Sequence, residues 1–285
     1  MFFMMIMRQT LTNGIEWRER AGGGDVLVCL HGIGSTASTF DGLIGYLPAD
    51  LRVICWNAPG YGESAPLAAD WPLAADYAMA LLSLCEALEL KRVHILGHSL
   101  GTLMGAAFAA GHPERVASLT LAACAQGRAT PRGGTLSEKD AQRLDDLERD
   151  GAEAFAAARA PRLIHAPERN PDLVAAVRQD MAKVTMPGYG QAVRMLASGD
   201  LAADCRRVRS RTSVIVGTGD VVTPPDQSRA AFDALDEAVR GDYALVPHAG
   251  HAIHRQAPAA LAATIVSTMR SALPLAGTIQ LGDVR

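Results

Sequence analysis

The sequence predicts an α/β fold: a mostly parallel central sheet with helices on both faces and an inserted helical cap. Three observations predict it. Apolar runs at 26–30, 51–56, 93–97 and 118–123 alternate with helix-like stretches, the pattern of crossover-connected parallel strands. One of these runs, Val93-His94-Ile95-Leu96, opens into Gly97-His98-Ser99-Leu100-Gly101 and then into a small-residue helix, Thr102 to Ala110. From about 127 to 207 the alternation stops and only helical patterns recur.

The elements follow in order. Residues 9 to 20 suggest a hairpin at Asn13-Gly14, a pair that suits tight two-residue turns. Gly22-Gly23-Gly24 precedes a strand and lacks a phosphate-binding pattern. Leu27-Val28-Cys29-Leu30 is an apolar strand that runs into His31-Gly32-Ile33-Gly34-Ser35. After the strand at 51–56, the segment Asn57 to Ser64 reads as a structural turn. A helix over roughly 73–90 sets Leu81, Leu84, Cys85 and Leu88 along one face. The segment Gly97 to Gly101 reads strand, sharp turn, helix. Glycines at 97 and 101 permit close backbone approach, and the helix N-terminus favours negative charge beside Ser99.

Gly127 to Gly134 opens the break in the alternation. A charged stretch, Ser137 to Arg149, reads as an exposed helix. Helical patterns recur at 151–160, 171–185 and 189–198, punctuated by Pro161, Pro167, Pro171 and Pro187. The expected organisation is a core at 9–126, a helical cap at 127–207 and the rest of the core at 208–275. Thr212 to Val216 is a buried β-branched strand, so Asp220 falls just past a strand end, where a loop residue faces a site. Asp226 follows Pro224-Pro225 and reads as a helix N-terminal residue. A last strand, Tyr243 to Val246, leads into Pro247-His248-Ala249-Gly250-His251.

A G-x-S-x-G between strand and helix is a nucleophile elbow, and Ser99, Asp220, His251 is the chain order of the α/β-hydrolase triad. On these residues the chain resembles the α/β-hydrolase superfamily from about Gly14 to about Leu273, with the cap matched least. The resemblance implies an α/β-hydrolase fold with Ser99 as nucleophile, His251 as base and Asp220 as its partner. It also implies an oxyanion hole made by the backbone N–H groups of Ile33 and Leu100. The chemistry needs these types. A serine hydroxyl requires a base within hydrogen-bond reach, imidazole titrates near neutral pH, and a carboxylate holds the ring in the right tautomer.

Other candidates weigh less. His98 is adjacent to Ser99 and points elsewhere, as a packing or hydrogen-bonding residue. His248 rivals His251, but the Gly-His pair at 250–251 fits the family pattern. His254 is expected to be solvated or to start a helix, His112 to end one, and His31 to bond the backbone of the oxyanion loop. In the cap, Arg159, Arg162, His165 and Arg194 are polar positions in otherwise apolar stretches. Arg194, beside Met186-Pro187-Gly188-Tyr189 and Met195-Leu196, is the preferred substrate-carboxylate ligand, with Arg162 and His165 as further candidates. The stretch Tyr189 to Asp200 loosely resembles enol-lactonases and related carboxylate-processing hydrolases.

The expected activity is a cofactor-independent serine hydrolase acting on an ester or lactone of a small, carboxylate-bearing substrate, with no metal and no cofactor. Carbon–carbon bond hydrolysis of a vinylogous diketone acid and amide or formyl hydrolysis on a small acid are the alternatives. A perhydrolase or a non-catalytic lactone receptor lies further off. Serine at position 99 disfavours the chemistry of haloalkane dehalogenases and most epoxide hydrolases, which use aspartate there.

Composition is that of an ordinary globular enzyme: 285 residues, 49% hydrophobic, net charge −3. Basic and acidic residues are mixed throughout, so neither nucleic acid nor membrane is expected as partner; a small-molecule substrate is, and a homodimer is left open. Cys29, Cys55, Cys85, Cys124 and Cys205 are odd in number and form no C-x-x-C, as suits reduced thiols in a cytoplasmic protein. The apolar run Met1 to Met7 is too short to span a bilayer and makes a poor secretory signal; Met4, Met5 and Met7 are alternative initiators.

Overall fold

The structure is a computed structural model that describes residues 7–272. The expectations for residues 1–6 and for the far end of the core at 273–275 lie outside them.

The hairpin forms at Asn13-Gly14 between β1 (Arg8–Thr12) and β2 (Ile15–Arg20), with both turn residues at positive φ. Next come β3 (Val26–Leu30), a short α1 (Asp41–Ile44), β4 (Arg52–Trp56), α2 (Ala74–Ala87), β5 (Val93–His98), α3 (Leu100–Gly111) and β6 (Val116–Ala122). Four helices follow with no strand between them: α4 (Glu138–Arg159), α5 (Pro171–Met181), α6 (Gly188–Ser198) and α7 (Leu201–Cys205). The chain then returns to the sheet with β7 (Arg211–Gly217), α8 (Pro225–Ala234), β8 (Arg240–Val246), α9 (Ile253–Gln256) and α10 (Pro258–Ala272).

The eight strands form one sheet in the order β1-β2-β4-β3-β5-β6-β7-β8. β2 alone runs against the rest, antiparallel to both β1 and β4; from β4 to β8 every neighbouring pair is parallel. Strand order matters for the site. From β3 the chain steps outward to β4, then crosses back to β5 on the other side of β3. The loops leaving β3 and β5 therefore diverge and open a crevice at the strands' carboxyl ends, the place where open α/β sheets bind ligands.

Burial on both faces explains the continuous apolar strands. In β3, Leu27 and Cys29 face one core, with Phe40, Leu43 and Leu261, while Val28 and Leu30 face the other. The second core holds α3, whose residues Leu100 to Ala109 are all buried. It continues into the inserted helices through Phe155, Tyr189 and Val193, so these helices are packed onto the sheet's upper edge rather than hung from it.

Three seams join the inserted helices to the rest. Gly127 bridges Asp200, closing the base of the insertion. The Asn57 to Ser64 turn meets the start of α6 so closely that a Cβ on Gly188 would lie 1.9 Å from the Gly60 carbonyl oxygen. Asp180 of α5 pairs with the Arg255 guanidinium of α9 and lies 3.3 Å from the Ser38 hydroxyl. Within α4 the helix breaks at Gly151 (φ 75°, ψ 164°), which separates the charged stretch from the pattern at 151–160. Among the described residues no helix is long and apolar enough to cross a membrane.

Candidate active site

The turn after β5 brings Ser99 to the crevice. Its φ of 54° is a strained value for a residue with a side chain. The glycines make room. A Cβ at Gly97 would stand 2.5 Å from the Gly101 oxygen, and one at Gly101 would stand 2.2 Å from the Leu30 oxygen. The Ser99 amide donates to Ala122 O at 2.9 Å, which ties the turn to β6.

Loops from β7 and β8 supply the partners. His251 Nε2 lies 2.9 Å from Ser99 Oγ, and His251 Nδ1 lies 2.9 Å from Asp220 Oδ2. All three residues are buried. Asp220 is itself held: its Oδ1 accepts from the Val222 and Thr223 amides at 2.8 and 2.9 Å. Burial pushes the Asp220 carboxyl up, but the His251 ring and the amide donors outweigh it and hold the carboxyl below its ordinary value. An ionised Asp220 accepts from Nδ1–H, which leaves Nε2 free to accept the Ser99 proton. Thr223 Oγ1 stands 2.9 Å from Asp220 Oδ2 and 3.0 Å from His251 Nδ1, and it donates to Ala123 O at 3.1 Å. Sequence reasoning missed Thr223. Its signal was a hydroxyl three residues past Asp220, an Asx-type turn spacing.

The loop after β3 faces the same point. A Cβ at Gly32 would sit 3.1 Å from Ser99 Cβ, so the loop lies directly against the nucleophile candidate. His31 shapes it: Nδ1–H donates to Gly32 O at 2.8 Å, and Nε2 accepts from the Ala58 amide at 3.0 Å. Burial pushes His31 down to about 4, so the ring is neutral at neutral pH. Tyr61 Oη donates to Ile33 O at 2.6 Å and fixes that peptide. Ile33 and Leu100 both line the cavity, and among the described residues neither amide has a hydrogen-bond acceptor. Two such N–H groups beside Ser99 Oγ are what a developing oxyanion needs.

The other histidines sort by contact. His98 donates from Nε2 to the His251 carbonyl at 2.8 Å and is pushed down to about 3 by burial and then by His251. His254 does begin α9, yet it is buried rather than solvated, because Thr39 and Phe40 close over it. Its Nε2 lies 2.7 Å from Thr39 Oγ1, and burial pushes its pKa well below the ordinary value. His248 is exposed and faces His165 with ring centroids 5.8 Å apart.

Above Ser99 is a cavity of about 420 Å³, roofed by Phe155, Val177, Met181, Tyr189 and Leu196. The substrate-ligand candidates divide here. Arg162 and Arg159 line the cavity; Arg194 and His165 are not among its lining residues. The Arg194 guanidinium folds back over Gly190, 3.0 Å from where a Cβ would be. His165 is spent on structure: its amide and carbonyl bond the Gln256 side chain at 3.0 and 2.8 Å, and its ring packs on Gly219. Two further arginines line the cavity instead, Arg128 and Arg143. Arg128 pairs with buried Asp140 at 2.6 Å, and Arg159 pairs with Asp146 at 3.0 Å. Arg143 has enclosed Nε and Nη1 atoms with no hydrogen-bond partner among the described residues. Each unpartnered buried donor typically costs about 1–3 kcal/mol. The signal for this face was the i, i+3, i+7 spacing of Asp140, Arg143 and Leu147, hidden among neighbouring charges.

Comparisons with known proteins agree with this architecture. Residues 27–264 match the model of a family described as the Alpha/beta hydrolase family. A 2-hydroxy-6-oxononadienedioate/2-hydroxy-6-oxononatrienedioate hydrolase 2 of Pseudomonas putida is 34% identical over 133 residues, which is 45% of this chain and 46% of that protein. That match thus spans less than half of the relative's length. An (E)-2-((N-methylformamido)methylene)succinate hydrolase of Acinetobacter baylyi is 26% identical over 242 residues, covering 83% of this chain and 87% of that protein. The solved enol-lactonase of Burkholderia xenovorans LB400 superposes with a TM-score of 0.78 at 24% identity, over 92% of this chain and 100% of that one. With a family match running from β3 into α10, over a sheet, elbow and crevice of this form, the chain belongs to the alpha/beta hydrolase family.

Proposed function

We propose that the chain is a cofactor-independent serine hydrolase that cleaves an ester or lactone of a small, carboxylate-bearing substrate. The observation that carries this reading is the continuous hydrogen-bonded line Asp220–His251–Ser99, ending in a cavity beside the two amides of Ile33 and Leu100.

In this mechanism Ser99 Oγ attacks the acyl carbon while His251 Nε2 takes its proton. The Ile33 and Leu100 amides receive the negative oxygen of the tetrahedral intermediate. Losing one such donor costs on the order of 10²–10³ in rate. His251 then protonates the leaving oxygen, and the acyl group stays on Ser99. A water molecule, deprotonated by His251, attacks the acyl-enzyme and releases the acid. Residues 127–207 act as the cap and set substrate choice from above. Two features support a carboxylate on the substrate: the arginines of the cap, and relatives named for acting on a dioate and a succinate.

One observation favours a second reading. The P. putida relative is named for a substrate with an oxo group and two carboxylates but no ester. Hydrolysis of a carbon–carbon bond next to such a ketone would use Ser99 and His251 as an acid–base pair.

The test is a panel of p-nitrophenyl esters and small lactones, wild type beside Ser99→Ala. Turnover in wild type that disappears in the variant supports the proposal. A wild type inert across the panel removes the ester and lactone reading and moves the carbon–carbon and amide readings ahead.

A further inference from the structure

We propose that Arg143 is the residue that selects an anionic substrate, by binding one carboxylate of the molecule whose acyl group is presented to Ser99; this rests on the serine-hydrolase reading above. Five cationic side chains line the cavity: Arg128, Lys139, Arg143, Arg159 and Arg162. They are not equivalent. Arg128 is neutralised by Asp140 and Arg159 by Asp146. Lys139 and Arg162 are exposed, so water screens their charge. Arg143, half-buried, alone combines enclosed Nε and Nη1 atoms with no ion pair among the described residues.

Its position fits the role. Arg143 lies on the inward face of α4, one turn from buried Asp140 and one turn from buried Leu147. Burial is the largest influence on the Tyr61 and Tyr189 hydroxyls and raises both; the positive charge of Arg143 opposes it at each, so the guanidinium acts across the roof at Tyr189 and toward Tyr61. Tyr61 in turn holds the Ile33 carbonyl. Arg143 and Ile33 line the same cavity. A guanidinium with two of its nitrogens enclosed and no protein counter-ion binds a carboxylate strongly, and its planar donors favour that group over a lone halide. Arg128 and Arg159 already carry their own aspartates, which leaves Arg143 as the half-buried cation of the lining without a counter-ion among the described residues.

The probe is a matched pair of esters, p-nitrophenyl hydrogen glutarate and p-nitrophenyl valerate, assayed with wild type, Arg143→Gln and Arg143→Lys. The expected result is a wild-type kcat/KM for the anionic ester about tenfold or more above the neutral one, expressed mainly in KM. That ratio falls about tenfold or more in Arg143→Gln, the size of one charge-assisted hydrogen bond, and Arg143→Lys recovers part of it. A ratio that Arg143→Gln leaves unchanged overturns the assignment. Glutarate binding by calorimetry to wild type and Arg143→Gln separates this from the parent reading. If no ester is turned over but glutarate binds about tenfold more weakly to the variant, the hydrolase reading fails and the Arg143 assignment stands. Equal binding to both proteins overturns the assignment whatever the turnover.

Discussion

Replacing Asp220 by asparagine probes the arrangement at its most determined point. The carboxylate Oδ1 accepts two backbone N–H groups, from Val222 and Thr223, at 2.8 and 2.9 Å. An asparagine must leave its carbonyl oxygen there, since turning the amide over would set its NH2 against two donors. Its NH2 then occupies the Oδ2 position, 2.9 Å from His251 Nδ1. Two donors cannot face each other, so His251 must present an unprotonated Nδ1 and carry its proton on Nε2. That nitrogen can no longer accept from Ser99 Oγ. The cost of the wrong tautomer in a serine triad is about 10⁴ in kcat, or about 5.4 kcal/mol. Hydrolysis of p-nitrophenyl acetate at neutral pH measures it, with far-UV circular dichroism confirming an unchanged fold. A loss below about tenfold would refute the reasoning, because it would mean that Asp220 does not set the tautomer of His251.

Three other outcomes follow from the same geometry. Gly101→Ala places a Cβ 2.2 Å from the Leu30 carbonyl oxygen, with backbone on both sides and no flexible group to yield. It should cost about 3 kcal/mol or more and lower Tm by roughly 10 °C, read by thermal melting; a wild-type Tm would contradict the tight elbow. His31 and His98 are held down to about 4 and about 3 from the ordinary 6.5 by burial, and His254 is lowered as well. The unfolded chain therefore binds protons that the folded one refuses. Stability is full above pH about 6.5 and falls as pH drops toward 3, each histidine adding a slope of up to about 1.4 kcal/mol per pH unit. Asp220, held below its usual value, works in the same direction at the acid end. Urea unfolding at pH 7.5 and 5.5 checks it, and equal midpoints would be the contrary result. Finally, all five cysteines are free and buried, and burial pushes the Cys85 thiol up to about 11 and Cys124 up to about 12. Ellman's reagent should find no reactive thiol in the native protein and all five after unfolding in guanidinium; a fast native thiol would show that one of them is not enclosed.

What could be read from the sequence was what local pattern encodes. Continuous apolar runs bounded by glycine, with helical spacing between them, give β3 to β6 within a residue or two. Ser99, Asp220 and His251 each sit just past such a run, so locating the strand ends located the loops that meet at the crevice. What resisted reading was determined by packing between distant segments. Arg194 stands in an apolar stretch and looked inward-facing, but α6 turns it back over Gly190. Arg143 stands in a charged stretch and looked solvated, but its helix face is covered by the cavity, and only its spacing from Asp140 and Leu147 betrayed that. His254 does lie at a helix start, one of its two expected places, but its burial was hidden for the same reason: the residues that bury it, Thr39 and Phe40, lie more than two hundred positions earlier in the chain. Charge alternation along one helix reports neighbours in sequence; it does not report which face another helix or a loop will cover.

The central claim is that Ser99 is a nucleophile activated by His251. Intact-protein and peptide mass spectrometry after treatment with a fluorophosphonate tests it most directly, since the probe reacts with an activated serine whatever the natural substrate. The account predicts one phosphonyl adduct on wild type, located at Ser99, absent in Ser99→Ala and much slowed in His251→Ala. A wild type that stays unlabelled, or one labelled at another residue with Ser99 free, would contradict it.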